Sequence, residues 1–165
     1  MRTNAISIAN YFVDLANADN REIRLLGLIK RVYIVHGFTL AILNRPAIDE
    51  RFDKVEAWRL GPVIPSVYHS FKHFTNQPVS EKSVILTDVN NFIIPEIDDK
   101  DIKNITKAVW KRYYKWGDMD LVNLLHRDGT PWSFCYVEGK NEKIPDIYTK
   151  IYYKNVLDDI EAKNN

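Results

Sequence analysis

Apolar residues recur every three to four positions over most of this chain, the spacing of helices with one face turned to a core. Ala5, Ile8, Ala9, Phe12, Leu15 and Ala16 share such a face. They predict a first helix over about residues 5–17, capped by Thr3 or Asn4 and ended by Asn17-Ala18-Asp19-Asn20. A longer stripe follows in Leu25, Ile29, Val32, His36, Leu40 and Leu43, widened by Leu26 and Tyr33, and predicts the central helix. Gly37 lies inside it, as a close-packing point or a break. Behind a cap at Asp98 or Asp99, Ile102, Ile105, Val109, Tyr113 and Trp116 face one way, with acids first and bases last as the helix dipole favours. Met119 to His126 continues after a break at Gly117-Asp118. Pro145 opens a last helix on which Tyr148, Tyr152, Val156 and Ile160 recur at four-residue spacing, with 162–165 frayed.

The intervening segments are shorter and more polar. Ala47-Ile48 and Val55-Glu56-Ala57-Trp58 flank a polar stretch carrying Pro46, as the strands of a small hairpin. Asn76-Gln77-Pro78 stops the helix that starts at Pro65. The stretch through Asn91 shows no clear period, and Phe92-Ile93-Ile94-Pro95 reads as a short extended segment. There is no repeat, no low-complexity tract and no linker long enough to divide two domains. The expectation is a mainly α fold: a compact single-domain helical bundle over 1–165 with a small β-hairpin element.

One stretch is unusually constrained. In Glu56-Ala57-Trp58-Arg59-Leu60-Gly61-Pro62-Val63-Ile64-Pro65-Ser66-Val67-Tyr68, Gly61 and Ile64 each precede a proline and are pushed toward extended backbone. Pro65 suits the first position of a helix, on which Val67, Tyr68 and Phe71 then recur. The chain must run extended and then turn, with Trp58 as a large aromatic anchor. By its residues alone this is a well-formed loop pinning a tryptophan, since no nucleophile or ligand cluster sits within it.

Composition narrows the chemistry. With 165 residues, 45% of them hydrophobic, the chain is long enough for a real core. Its 23 basic and 22 acidic residues nearly cancel, so no global field draws it to nucleic acid or an anionic membrane. The single cysteine, Cys135, has no internal partner and sits between Phe134 and Tyr136 as a packing residue would, which fits a cytoplasmic location. No eighteen-residue apolar run or signal-like N-terminus is read in the chain. His69 and His73 have a metal-ligand spacing but lack a third ligand. His126, at a helix end, reads as a cap or core residue, and an acid pair such as Glu56 with Asp128 is the kind any acid-rich chain offers. Glycine loops for phosphate and a Gly-Xaa-Ser-Xaa-Gly elbow are absent. Lys100, Lys103, Lys107 and Lys111 make a basic stripe flanked by Asp98, Asp99 and Asp101: idle surface, or a contact for an acidic protein. No cofactor, metal or catalytic set is expected. Nine Tyr, seven Phe and four Trp leave aromatic area available for a protein partner.

Three separated blocks resemble the Panacea domain family, found in antitoxins, in phage-associated proteins and in a proteolytic-adaptor antitoxin. They are Ile8-Ala9-Asn10-Tyr11-Phe12; the turn of Glu56, Trp58, Gly61, Pro62, Pro65 and Tyr68; and Leu124-Leu125-His126 with Pro131-Trp132. Lys30-Arg31-Val32-Tyr33 and Ile151-Tyr152-Tyr153 are in keeping, Leu125 stands where the family usually has threonine, and residues 72–98 match no motif. The resemblance implies a non-enzymatic binding protein that neutralises a cognate toxin by direct contact. The alternative is an adaptor delivering a partner to an ATP-dependent protease, or a phage-borne modulator of a host protein, with an enzyme whose site is assembled from distant residues as the less favoured reading. Oligomeric state is left open.

Overall fold

In the computed structural model, which describes residues 5–165, helix α2 (Leu25–Leu43) is the axis on which the rest packs. Every residue from Gly27 to Leu40 is buried. A helix apolar on all sides must lie inside, and α2 is wrapped by α1 (Ala5–Ala18), α4 (Lys100–Tyr113), α5 (Asp118–Leu125) and α7 (Asp146–Asn164). By length and composition alone α2 would pass for a membrane span, but most of it is buried within this protein. Gly37 is a close-packing point: a Cβ there would stand 2.2 Å from a ring carbon of Tyr153, which meets Tyr33 and Phe38 edge-on. Asn44, at φ 55°, ends the helix in the left-handed conformation.

The fold is mainly helical, with short strands. β1 (Glu56–Trp58) lies between β2 (Gly61–Val63) and β5 (Glu142–Lys143), all antiparallel. The expected partner of residues 55–58 was Ala47-Ile48; those two instead form a buried loop whose Ile48 N–H donates to His36 Nδ1. The reason is local: Gly61, at φ 105°, lets the chain reverse through Arg59-Leu60 and pair Trp58 with Gly61. Pro62 is tolerated because β2 is an edge strand. A separate ribbon, β3 (Ile85–Asp88) and β4 (Asn91–Ile93), occupies the stretch without a clear period.

Helix α3 (Pro65–Phe71) starts at its proline as expected, and α6 (Pro131–Cys135) at another. Asp99 caps α4 by accepting from the N–H groups of Asp101 and Ile102. Three inward assignments change. Trp116 lies past the end of α4 and is exposed, and Trp110 takes the core position. On α7 the residues turned fully inward are Thr149 and Tyr153, whereas Tyr148 is half exposed, because Tyr153 is the residue that fits against Gly37. Cys135 is half-buried and its neighbour Phe134 is exposed. Helix α7 extends to Asn164. The Thr3 or Asn4 cap lies outside the described residues.

Candidate functional site

The turn between β1 and β2 is held from two sides. Trp132 donates its indole N–H to the Trp58 carbonyl at 2.6 Å, and His126 Nε2 donates to the Arg59 carbonyl at 3.0 Å. From the opposite side Lys30 Nζ donates to the Pro62 carbonyl at 2.8 Å. Three side chains distant in sequence thus satisfy three carbonyls of one reversal, those of residues 58, 59 and 62. The Trp132 ring lies between His126 and Tyr136, with centroids 3.8 and 4.7 Å away. Thr130 caps α6 and Pro131 fixes its first residue, which sets the direction of Trp132.

Trp58 uses its other end differently. Its indole donates to Glu56 Oε2 at 2.7 Å, and its ring meets Tyr68 of α3 edge-on at 5.1 Å. Trp58 and Tyr68, with Leu60 and Val63 of the turn and Leu25, Leu26 and Ile29 of α2, line an apolar cleft of about 600 Å³. Its rim carries Arg24, Arg59 and Asp118. Arg24 is engaged with Glu22 and the Asn76 carbonyl, while the Arg59 guanidinium makes no bond among the described residues. The arrangement suits recognition of apolar area beside one negative charge, since the polar groups beneath it are already paired with each other.

Two buried cations support the cleft. Lys30 is fully buried, and burial pulls its ammonium down to about 7. Arg31 is lowered to about 10 by burial, opposed by the Asp118 carboxylate. Its Nη2 donates to the carbonyls of Tyr113 and Trp116, closing the C-terminal end of α4, and its Nε is buried without a partner among the described residues. Neither cation was singled out as a site residue from the sequence. The signal was present, as a Lys-Arg pair inside a mostly apolar helix.

Of the residues expected to matter, Glu56, Trp58, Gly61, Pro62, Pro65, Tyr68, His126, Pro131 and Trp132 are brought together here. Asn10 and Tyr11 are not. They lie on α1 against the base of the β3–β4 ribbon, where Asn10 bonds Ser83 and Pro95 and Tyr11 sits under the Lys103 ammonium. His69 and His73 contact different aromatics, Tyr68 and Phe74, and the described residues contain no cluster of three potential metal ligands. Glu56 is taken by Trp58, and Asp128 is exposed without a bond among the described residues, so that acid pair does not form. Burial raises the Cys135 thiol, away from a reactive thiolate. In the basic stripe Lys103 covers Tyr11, and Arg112 and Lys115 near its end cover Tyr113 and Tyr114.

Residues 28–133 match the family described as antitoxin SocA-like, Panacea domain. A protein of Caulobacter vibrioides (strain NA1000 / CB15N), antitoxin SocA, is 32% identical over 134 residues, covering 78% of this chain and 68% of its own. No solved structure matches.

Proposed function

The chain belongs to the SocA-like antitoxin, Panacea-domain family, and from that premise we propose that it is a cytoplasmic antitoxin that holds a cognate toxin inactive by direct contact. The family points to a non-enzymatic regulator with a toxin as partner in general. Residues 1–165 are read as one domain. The observation that carries the contact reading is the apolar cleft at the constrained turn, lined by Trp58, Tyr68 and Leu60 and edged by Arg59, whose guanidinium makes no bond among the described residues. It is shaped for a protruding apolar segment of a partner, with the clamped turn as a rigid wall. Rigidity lowers the ordering cost of binding.

The test uses the product of the neighbouring gene that is toxic when expressed alone. Co-expression with this chain should restore growth and the two should co-purify. Leu60→Asp, at an exposed turn position, should weaken the complex at least about tenfold without changing the melting temperature, because a carboxylate there opposes burial in an apolar contact. If no neighbour is toxic and none co-purifies, the antitoxin reading fails. If a complex forms but is indifferent to Leu60→Asp, the cleft is not its site. Toxin half-life separates occlusion from protease delivery: a toxin turned over no faster in the presence of this chain, yet harmless, is occluded.

A further inference from the structure

Residues 100–115 carry six cations, Lys100, Lys103, Lys107, Lys111, Arg112 and Lys115, against one acid, Asp101. The whole chain is nearly neutral, so α4 holds a local excess that the total conceals. At about 100° per residue, Lys100, Lys103, Lys107 and Lys111 fall within about 80° of the helix circumference and form a row about 16 Å long. All four are exposed. Among the described residues the ammonium groups of Lys100, Lys107 and Lys111 have no bond or ion pair, and that of Lys103 meets only the Tyr11 ring. The acids at the start of the helix do not neutralise the row, because Arg45 holds Asp99 at 2.7 Å and Asp101 at 4.0 Å.

Beside this row the same helix borders an apolar groove of about 260 Å³. Ile42 of α2, Ile105 and Ala108 of α4, and Leu157 and Ile160 of α7 line it, and Arg112 adds a cation. Ile42 is half exposed. Around the circumference of α4, Ala108 falls between Lys111 and Arg112, so the positive row and the aliphatic groove are adjacent strips of one surface.

We infer that this double strip docks an acidic amphipathic helix of another protein, at a surface separate from the cleft beside the β1–β2 turn. The unneutralised row sets the sign of the occupant's charge. Its cadence sets the shape: Lys103, Lys107 and Lys111 repeat every four residues, about 6 Å, which is the rise between carboxylates four apart on a facing helix. The groove takes the apolar anchors that such a helix carries on its adjoining face. Neither rival occupant uses both strips. A nucleic-acid strand gains from the cations, but an aliphatic groove gives its bases no aromatic platform to stack on. A second copy brings the same excess of positive charge to the contact. Exposed cations steer and orient a partner more than they hold it, so the contact is modest in strength and sensitive to salt.

Fluorescence anisotropy of the full chain with a labelled helical peptide of about 20 residues, leucines on one face and glutamates on the other, tests this. The dissociation constant should be about 10–100 μM at about 50 mM salt and at least about fivefold weaker at about 300 mM. The same peptide with lysine in place of each glutamate should not bind. Lys107→Glu combined with Lys111→Glu, and separately Ile42→Asp, should each weaken binding at least about tenfold. Leu60→Asp, at the other cleft, should leave it unchanged, which keeps this surface distinct from the proposed toxin contact. Melting curves matching wild type confirm that the variants are folded. No binding of the glutamate peptide, equal binding of the lysine peptide, or indifference to either groove or row variant overturns the inference. A DNA duplex of about 20 base pairs bound more tightly than the peptide and unaffected by Ile42→Asp also overturns it, and assigns the row to nucleic acid. A dimer in sedimentation that the same variants dissolve overturns it in favour of a second copy.

Discussion

Lys30→Met should stabilise the protein at neutral pH, by an amount that shrinks as the pH rises. The Lys30 amine is fully buried and donates only to the Pro62 carbonyl, with no carboxylate bonded to it among the described residues. Burial lowers its proton affinity from 10.5 to about 7. Each tenfold step is worth about 1.4 kcal/mol, so carrying the charged form into the fold costs about 5 kcal/mol below pH 7. The sign follows from proton counting. Between about pH 7 and 10.5 the unfolded lysine holds a proton that the folded one has shed, so the native state gains about 1.4 kcal/mol per pH unit on raising the pH. Methionine removes that cost but strands the Pro62 carbonyl, which takes back about 1–3 kcal/mol. The net gain expected near pH 6.5 is about 2–4 kcal/mol. Urea denaturation of both forms at about pH 6, 7, 8 and 9 measures it. Staying below about pH 9 avoids ionising Tyr33 and Tyr153, whose phenols burial raises and whose titration would destabilise the fold. A variant less stable than wild type near pH 6.5, or a difference that does not narrow toward pH 9, would refute the reasoning and place a compensating charge next to Lys30.

Gly37→Ala should destabilise by about 1–3 kcal/mol or more, because the new methyl meets the Tyr153 ring and must part α2 from α7. On helix propensity alone the same change would stabilise by about 1 kcal/mol, so the direction of the denaturation midpoint decides between the two. Trp132→Phe keeps a ring against His126 and Tyr136 but leaves the Trp58 carbonyl unpaired, an expected loss of about 1–3 kcal/mol; Trp132→Ala should cost about 3–5 kcal/mol. If Trp132→Phe melts like wild type, the indole bond does not hold the turn.

How much of this was legible beforehand can be judged from particular residues. Helical periodicity carries the apolar stripes of α1, α2 and α4, the Asp99 cap and the proline starts of α3 and α6, because these depend on neighbours within a turn or two of the chain. The three blocks were legible only through their resemblance to the family. What it did not contain is why they belong together: Trp132, His126 and Lys30 converge on the carbonyls of residues 58, 59 and 62 only after α2 and α6 have packed on either side of the turn. Asn10 shows the converse, a motif residue next to the others in no spatial sense, committed to the root of a ribbon about seventy to eighty-five residues away in the chain.

The sequence by itself determined the helical class, the turn and the absence of a familiar catalytic motif, since each rests on local backbone preference or on residue inventory. The tertiary structure decided the strand partner of Trp58, the inward face of α7 and the burial of Lys30. Strand pairing was won by Gly61, whose left-handed backbone closes a two-residue reversal that Ala47-Ile48 lacks. On α7 no side is clearly more apolar than the rest, and the one turned inward is chosen by the space that Gly37 leaves on the opposite helix. Long-range shape, not local pattern, sets which side of an evenly apolar helix is inside.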